Sequence, residues 1–141
     1  MNGVSTFRLY LLRVPYLLMA VGLGLMIWPQ ILDPSRHWEL MHGVVVSMLG
    51  ALCVLALLGL RYPLQMLPLL LFEMTWKVIW LLRVALVAQL SHRMDADTAE
   101  TASQCLWILI FPFFIPWRYL LDHYVRKAGD PWRPSAQRTP V

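Results

Sequence analysis

The sequence predicts an all-α polytopic membrane protein, a bundle of four transmembrane helices. Two properties of the composition predict the class: hydrophobic residues make up 59% of the 141 residues, and charged residues only 14%. A soluble domain carries about 25% charged residues, so this chain lacks the polar surface that it would need in water. A nucleic-acid module, a disordered chain and an ordinary soluble enzyme therefore fit poorly. The third observation, four long apolar stretches, predicts the number of helices.

Each apolar stretch is long enough for one helix to cross a bilayer, because a hydrocarbon core of about 30 Å takes about 20 helical residues. The stretches are rich in leucine and lack the alternation of membrane strands. The second contains no charge, whereas the third is interrupted by Glu73, Lys77 and Arg83. The predicted spans are approximately residues 9–31, 40–60, 62–90 and 105–126.

Short connections with turn-forming residues separate the spans, so residues 1–128 are predicted to form one transmembrane domain. The first span is expected to remain in the mature protein, because no small-residue cleavage pattern follows its apolar run. Asp97 or Thr98 is the predicted N-cap of the last helix. The composition of residues 129–141 shifts to Gly, Pro, Ser and Arg, which predicts a disordered cytoplasmic tail.

The basic residues predict the orientation of the bundle. Four spans place both termini and the second loop on one side of the membrane, and that side holds Arg8, Arg13, Arg61, Arg118, Arg126, Lys127, Arg133 and Arg138. By the positive-inside rule, both termini are therefore expected in the cytoplasm. The cluster from Arg118 to Arg138 would also favour an anionic inner leaflet. A role in setting topology alone is the simpler interpretation.

Glu73 is the strongest candidate for chemistry. It lies about 16 Å from the cytoplasmic start of the third span, near the bilayer midplane. A charge at that depth costs at least about 2.5 kcal/mol, so it is expected to face the bundle interior beside a partner. Lys77 follows four residues later, in the better orientation for a helical ion pair. Trp76 and Trp80 lie on the same side of the helix.

Two interpretations of this pair remain open. In the first, the neutralised pair is a structural lock that holds the third span against its neighbours and fixes its rotation. In the second, Glu73 binds a proton, a cation or the polar head of a ligand, and Lys77 tunes its pKa. The candidate ligand-binding residues of the second interpretation are Glu73, Lys77, Trp76, Trp80 and His42.

His42 lies just inside the outer end of the second span, where it could pair with Glu73 or ligate a metal or haem. One membrane-embedded histidine does not make a bis-histidine haem site, so we expect a hydrogen bond to a neighbouring helix or a headgroup, and no cofactor. The acidic loop residues Asp95, Asp97 and Glu100 lack the glycine-dependent turn of a calcium loop. No metal site is predicted.

Gly43, Ser47 and Ala51 recur every four residues on the second span. Small residues at this spacing let helix backbones approach closely. The stripe is therefore predicted to pack, and the sequence leaves two places open. It packs either within the bundle or at an interface with a second copy or a partner membrane protein.

Pro112 and Pro116 lie four residues apart in the fourth span, and each removes a backbone hydrogen bond. They predict a kink, which either curves the helix or opens a groove beside Glu73, with curvature favoured. The two cysteines, Cys53 and Cys105, are placed at different depths, about 18 Å apart along the membrane normal, which exceeds the reach of a disulfide. Both are predicted to be free thiols.

Three segments carry a resemblance to a known group of proteins: residues 61–64 with 68–80, residues 94–100, and residues 115–119. Their sequences, RYPL with PLLLFE continuing to Trp80, MDADTAE, and IPWRY, resemble small uncharacterised four-helix membrane proteins of bacteria. The resemblance covers most of the chain. It implies a location in the bacterial inner membrane and brings no activity or catalytic residue with it. The architecture is also broadly similar to the small four-helix proteins of the DoxX-like group.

The favoured function is that of a structural or accessory interaction bundle surrounded by membrane lipids, because the loops are minimal and the central charge pair is already neutralised. The alternative is a carrier or binding protein for a proton-coupled, lipidic or quinone-like ligand at Glu73 and Lys77, near the midplane where transporters place their sites. An intramembrane enzyme would need a second polar group such as His42 beside Glu73. The sequence favours a non-enzymatic role.

Overall fold

The computed structural model describes residues 4–132, which form helices and turns with no β-strand. The α-helices are α1 (Thr6–Met26), α2 (Trp28–Ile31), α3 (Leu40–Arg61), α4 (Leu67–Trp80), α5 (Leu86–Leu90), α6 (Ala96–Leu106), α7 (Phe111–Phe114) and α8 (Trp117–Leu121). Two π-helical turns, Leu81–Ala85 and Asp122–Arg126, and one 3₁₀ turn, Trp107–Ile110, continue neighbouring helices. We refer to the composite segments as the 67–90 helix, the 96–114 helix and, for Trp117–Arg126, the C-terminal helix.

The structure supports a helical membrane protein with two to three spanning helices, rather than clearly four. Thr6–Ile31 and Leu40–Arg61 are each long and apolar enough to cross a membrane. The 96–114 helix and the C-terminal helix meet that condition only as a bent pair. The 67–90 helix is about 36 Å long at 1.5 Å per residue, but it carries Glu73, Lys77 and Arg83. The first three predicted spans thus correspond to helices, and the third has the most charge.

Small residues on α3 allow α1 to pack closely against it. Gly50, Cys53, Ala56 and Gly59 recur every third residue and are all buried. The aromatic ring of Tyr16 lies so near Gly59 that a Cβ atom there would overlap the ring. The α1–α3 contact is the most extensive between helices in the described part of the chain, and these small residues explain it.

The small-residue stripe singled out from the sequence lies on a different side of α3. Ser47 and Ala51 are exposed, and Gly43 is only partly buried. Of the two places left open for this stripe, packing within the bundle is therefore not what these residues do. A role at an interface with another chain stays a prediction.

The core extends from α1 and α3 to the 67–90 and 96–114 helices. Two side chains of α1 tie it to the end of α3 through hydrogen bonds to backbone carbonyls. Arg13 donates from Nε to the carbonyl oxygen of Leu60 at 2.9 Å, and Tyr16 donates from its hydroxyl to that of Pro63 at 2.9 Å. A helix C-terminus leaves four carbonyls without intrahelical partners, and Arg13 satisfies one of them. The core residues around them include Leu12, Leu67, Leu70, Phe111, Ile115 and Leu120.

The 96–114 helix begins earlier than the fourth span predicted at 105–126. Its N-cap is Asp95, whose Oδ1 accepts a hydrogen bond from the backbone N–H of Thr98 at 2.8 Å. The prediction of Asp97 or Thr98 as the cap was therefore wrong by two or three residues. Asp95 has the extended backbone that an N-cap requires, whereas Asp97 already lies in the first turn.

A bend of 83° separates the 96–114 helix from the C-terminal helix. Ile115 adopts extended dihedrals, with φ −76° and ψ 127°, because the residue before a proline is pushed out of the helical region. Pro116 then ends the hydrogen-bond ladder and precedes the new helix. The predicted kink is present, but it is a sharp corner rather than the gentle curve that was favoured. The chain from 105 to 126 therefore does not form one straight helix.

Residues after Lys127 leave the helical structure. The described part of the chain continues without helix as far as Trp132. Most of the predicted disordered tail, residues 129–141, including Arg133 and Arg138, lies outside the described residues. Both cysteines are free thiols, as predicted, and both are buried.

Candidate functional site

Among residues 4–132, Glu73 is the one charged residue that is fully buried, with 2% of its surface exposed. It lies on α4 one turn after the buried residues Leu69 and Leu70, so it continues the apolar face of that helix. The side chain of Lys77, one turn further on, is 18% exposed. The pair therefore runs from the bundle interior toward its surface.

Both carboxylate oxygens of Glu73 are occupied by donors of its own helix. The indole Nε1 of Trp76 donates to Oε2 at 2.7 Å, and the ammonium of Lys77 forms an ion pair and hydrogen bond with Oε1. The Lys77 ammonium also lies 5.3 Å from the centroid of the Trp76 ring, within the range of a cation–π contact. The predicted pair is present. Spacings of three and four residues place all three groups on one turn, so the contact needs no second helix.

The 96–114 helix supplies the wall beside this pair. It packs against α4 and against the π-helical turn that follows α4. The buried thiol of Cys105 lies close enough to Glu73 and Lys77 for both charges to act on it. No described residue of another helix donates a hydrogen bond to Glu73, so the wall contributes packing rather than polar bonds. A lock in which the pair holds neighbouring helices would therefore have to act through burial, because the polar contacts of the pair stay within its own helix.

Sequence reasoning missed the proximity of Cys105 to this pair. It placed Cys105 at the outer boundary, because the apolar run of the fourth span begins there. The helix in fact begins at Ala96, so Cys105 lies nine residues, or about 14 Å, along its axis. The predicted N-cap at Asp97 or Thr98 already indicated an earlier helix start, but the depth of Cys105 was taken from the apolar run alone.

The structure does not bring together all five candidate residues. Trp80 is partly buried on the same helix as Glu73. His42 is exposed, and its ring lies edge-on to Trp38 at 6.4 Å between centroids. His42 forms no described contact with Glu73. The candidate site is therefore the cluster of Glu73, Trp76 and Lys77, with Cys105 beside it.

A π-helical turn at Leu81–Ala85 directly follows Trp80. Such a turn inserts one residue into the helix and changes which residues face the core. Ala85 is buried, whereas Arg83 is exposed. Arg83 therefore points away from the bundle, within reach of the nearer headgroup layer if its long side chain extends along the helix.

Two open grooves run along the outer face of α3, and neither borders Glu73. One is lined by residues that include Trp28 and Ala51, and the other by residues that include Trp38 and Gly43. Ser47 borders both. The exposed small-residue stripe is therefore the floor of these grooves.

Within residues 4–132, no group of three or more His, Cys, Asp or Glu side chains is arranged to hold a metal ion. Cys105 and Glu73 supply only two such groups near Lys77, and the lysine ammonium is a donor that would oppose a cation.

Comparison with known proteins adds nothing further to this geometry. No protein-family model, curated protein or solved structure matches the chain.

Proposed function

We propose that this chain is a small integral membrane protein that acts as a structural or accessory interaction bundle. The observation that supports this role is the state of Glu73, which is buried, paired with Lys77 and hydrogen-bonded to Trp76. A carboxylate that is already neutralised and hydrogen-bonded needs no ligand to be stable in a low-dielectric interior. The pair then serves the bundle itself.

We infer that four helices cross the membrane, in a bacterial inner membrane, with both termini in the cytoplasm. The 67–90 helix is long enough to cross, and its two central charges cancel each other. Arg83 extends toward the headgroups. The concentration of arginines at the end that holds the N-terminus and Arg61 supports the orientation. The resemblance to small bacterial four-helix proteins supports the location.

The pair acts by fixing the rotation of the 67–90 helix. Glu73 is 2% exposed and Lys77 is 18% exposed, so turning the helix would carry the carboxylate toward lipid. A charged side chain in lipid costs at least about 2.5 kcal/mol. This penalty keeps one face of the helix against the 96–114 helix without any polar bond between them.

The interaction surface in this proposal is the small-residue stripe of Gly43, Ser47 and Ala51. It is open at the surface of α3 and lies in a groove. Small residues at four-residue spacing allow a second helix to approach closely in a membrane. A second copy of the chain or a partner membrane protein would occupy it.

Native mass spectrometry of the protein released in a mild detergent tests this function. We expect a homodimer or a complex with a partner protein, without a small-molecule adduct that depends on Glu73. Ser47→Leu should weaken the assembly, whereas Val45→Leu, at an exposed position of α3 outside the stripe, should leave it intact. A monomer in every sample, or an assembly that both variants disturb equally, would contradict the proposal.

A carrier or binding protein for a lipidic or quinone-like ligand is the second candidate function. The partial exposure of Lys77 favours it, because a polar head arriving from the bilayer would meet the ammonium without opening the bundle. Trp76 and Trp80, both partly buried, would contact such a head. A reproducible adduct mass in the same spectra, lost in Glu73→Gln, would select this function over the first.

A further inference from the structure

The C-terminal helix, Trp117–Arg126, has a buried side and an exposed apolar side. Leu120 is buried in the main core. Trp117, Leu121 and Tyr124 recur at spacings of four and three residues, which places them on one side of a helix. All three are more than two-fifths exposed. Adjacent exposed apolar side chains of this kind are typical of a surface that meets a membrane or another protein.

A basic side lies next to this apolar side. Arg118, Asp122 and Arg126 recur every four residues, and Lys127 follows directly. Arg126 donates from Nη1 to Oδ1 of Asp122 at 2.9 Å, with both side chains more than half exposed. Three basic residues and one acidic residue leave this side with a net positive charge.

The bend sets the direction of this helix relative to the bundle. It turns by 83° from the 96–114 helix, so it lies nearly parallel to the membrane surface when the preceding helix crosses the bilayer. Leu120 belongs to the same core as Leu12 and Tyr16, near the N-terminal end of α1. Arg8 and Arg61 are exposed at that same end. The helix therefore lies at the end of the bundle where basic residues concentrate.

We propose that the C-terminal helix is an interfacial element that binds anionic phospholipid headgroups through Arg118, Arg126 and Lys127. A helix with one apolar and one basic side lies in the interface, with the apolar side among acyl chains and the basic side among headgroups. The charge of these residues is complementary to an anionic leaflet. This inference rests on the proposed function, because it requires that the 96–114 helix spans the membrane.

The full chain in detergent, titrated with phosphatidylglycerol or phosphatidylcholine and followed by native mass spectrometry, tests this inference. The wild type should retain phosphatidylglycerol in preference to phosphatidylcholine. The variant with Arg118→Gln, Arg126→Gln and Lys127→Gln should lose that preference, by about fivefold for each basic residue removed. The control, Arg36→Gln with Arg93→Gln, removes two charges from the connections that follow α2 and the 67–90 helix, at the opposite end of the bundle from Arg8 and Arg61, and should keep the preference for phosphatidylglycerol.

A second variant, which is expected to raise the preference for phosphatidylglycerol, distinguishes a loss of lipid binding from damage to the fold. Asp122→Asn removes the acidic residue of the basic side and releases Arg126 from its ion pair. The preference for phosphatidylglycerol should then rise by about fivefold. A fold defect would lower the preference instead of raising it.

Three results would overturn the inference: no lipid preference in the wild type, an unchanged preference in the triple variant, or an equal loss in the control. The inference would also be contradicted if the wild type showed no preference between the two lipids but bound a soluble acidic protein through Arg118, Arg126 and Lys127. Resistance to alkaline extraction, measured on the membranes from which the same proteins are purified, separates the two proposals. Protein that is extracted contradicts the membrane-spanning function itself, whereas protein that stays inserted without lipid preference contradicts only this inference.

Discussion

The ring of Tyr16 on α1 lies directly against the backbone of Gly59 on α3, in the space that a Cβ atom would take. The same side chain is fully buried, and its hydroxyl donates to the carbonyl oxygen of Pro63 at 2.9 Å. One tyrosine thus joins close packing to a satisfied polar group. This contact sets how near α1 and α3 lie at the N-terminal end of α1.

Replacing Gly59 by Ala should destabilise the protein, because the new methyl group overlaps the buried ring of Tyr16. Overpacking of this kind costs about 1–3 kcal/mol. Thermal unfolding in detergent measures this loss of stability. The control is Gly22→Ala, where nothing lies within 4 Å of the added Cβ. Because alanine favours helix over glycine, Gly22→Ala should be neutral or slightly stabilising; equal losses in both variants would contradict the packing argument.

Replacing Glu73 by Gln should leave the ammonium of Lys77 partly buried without its carboxylate. Removing one partner of a buried pair costs about 3–5 kcal/mol. Adding Lys77→Met to this variant should restore most of the loss, since no uncompensated charge remains. Unfolding in detergent, followed by circular dichroism, gives the stabilities of the wild type, of Glu73→Gln and of the double variant.

The pair between Asp122 and Arg126 serves as the control for that series. It has the same four-residue spacing but is largely exposed, so Arg126→Gln should leave the unfolding midpoint nearly unchanged. A double variant of Glu73 and Lys77 that stays as unstable as Glu73→Gln alone would contradict the structural role of the buried pair.

Replacing His92 by Gly should stabilise the end of the 67–90 helix. His92 has a φ of 53°, and the amide N–H of Arg93 donates to the carbonyl of Ala88 at 2.9 Å, as in a Schellman motif. The left-handed conformation costs a non-glycine residue about 1–2 kcal/mol, and glycine avoids that cost. Ser91→Gly, one residue earlier at a negative φ, should instead destabilise. Denaturant titration of both variants checks that the free energy of unfolding rises in His92→Gly and falls in Ser91→Gly.

The N-cap at Asp95 should weaken in acid. Hydrogen bonds from Thr98, first from its side chain and then from its backbone amide, hold the pKa of Asp95 below the ordinary value. A lowered folded-state pKa means that the cap's contribution is present above the ordinary pKa of about 3.9 and is lost as the pH falls through the lowered value. The amide shift of Thr98, followed by NMR during acid titration, reports this loss.

A pair of variants checks the same cap without changing the pH. Asp95→Ala should increase hydrogen exchange in the first turn of α6 several-fold, because the amide of Thr98 loses its acceptor. Asp97→Ala removes a neighbouring carboxylate that forms no described cap and should change the exchange much less. Equal effects of the two substitutions would show that general charge near the helix start, rather than the cap, protects this turn.

Local features of the site were predictable, and features that depend on another helix were not. The contact between Glu73 and Lys77 follows from a spacing of four residues within one helix, so the sequence predicted it. The position of Cys105 beside that pair depends on where the 96–114 helix begins and on how it packs. The apolar run that defined the fourth span begins nine residues after the start of that helix, because the first half of the helix is polar.

The small residues of α3 illustrate the same division. The sequence singled out Gly43, Ser47 and Ala51, whereas α1 packs on the face that contains Gly50 and Gly59. Both sets have helical spacing and small side chains, so the pattern alone does not distinguish them. The choice depends on where Tyr16 projects from α1, which is a relationship between two helices.

Composition and periodicity by themselves determined that the chain is helical and belongs in a membrane. They also located the helices of the first three predicted spans, which are α1 with α2, α3 and the 67–90 helix. The reason is that burial in lipid and hydrogen bonding within a helix act over one segment at a time. Only the tertiary structure decided which face of α3 meets α1, how sharply the chain turns at Pro116, and that the 96–114 helix packs beside α4. These depend on the shapes of side chains from separate segments, which contact each other only after the helices have packed.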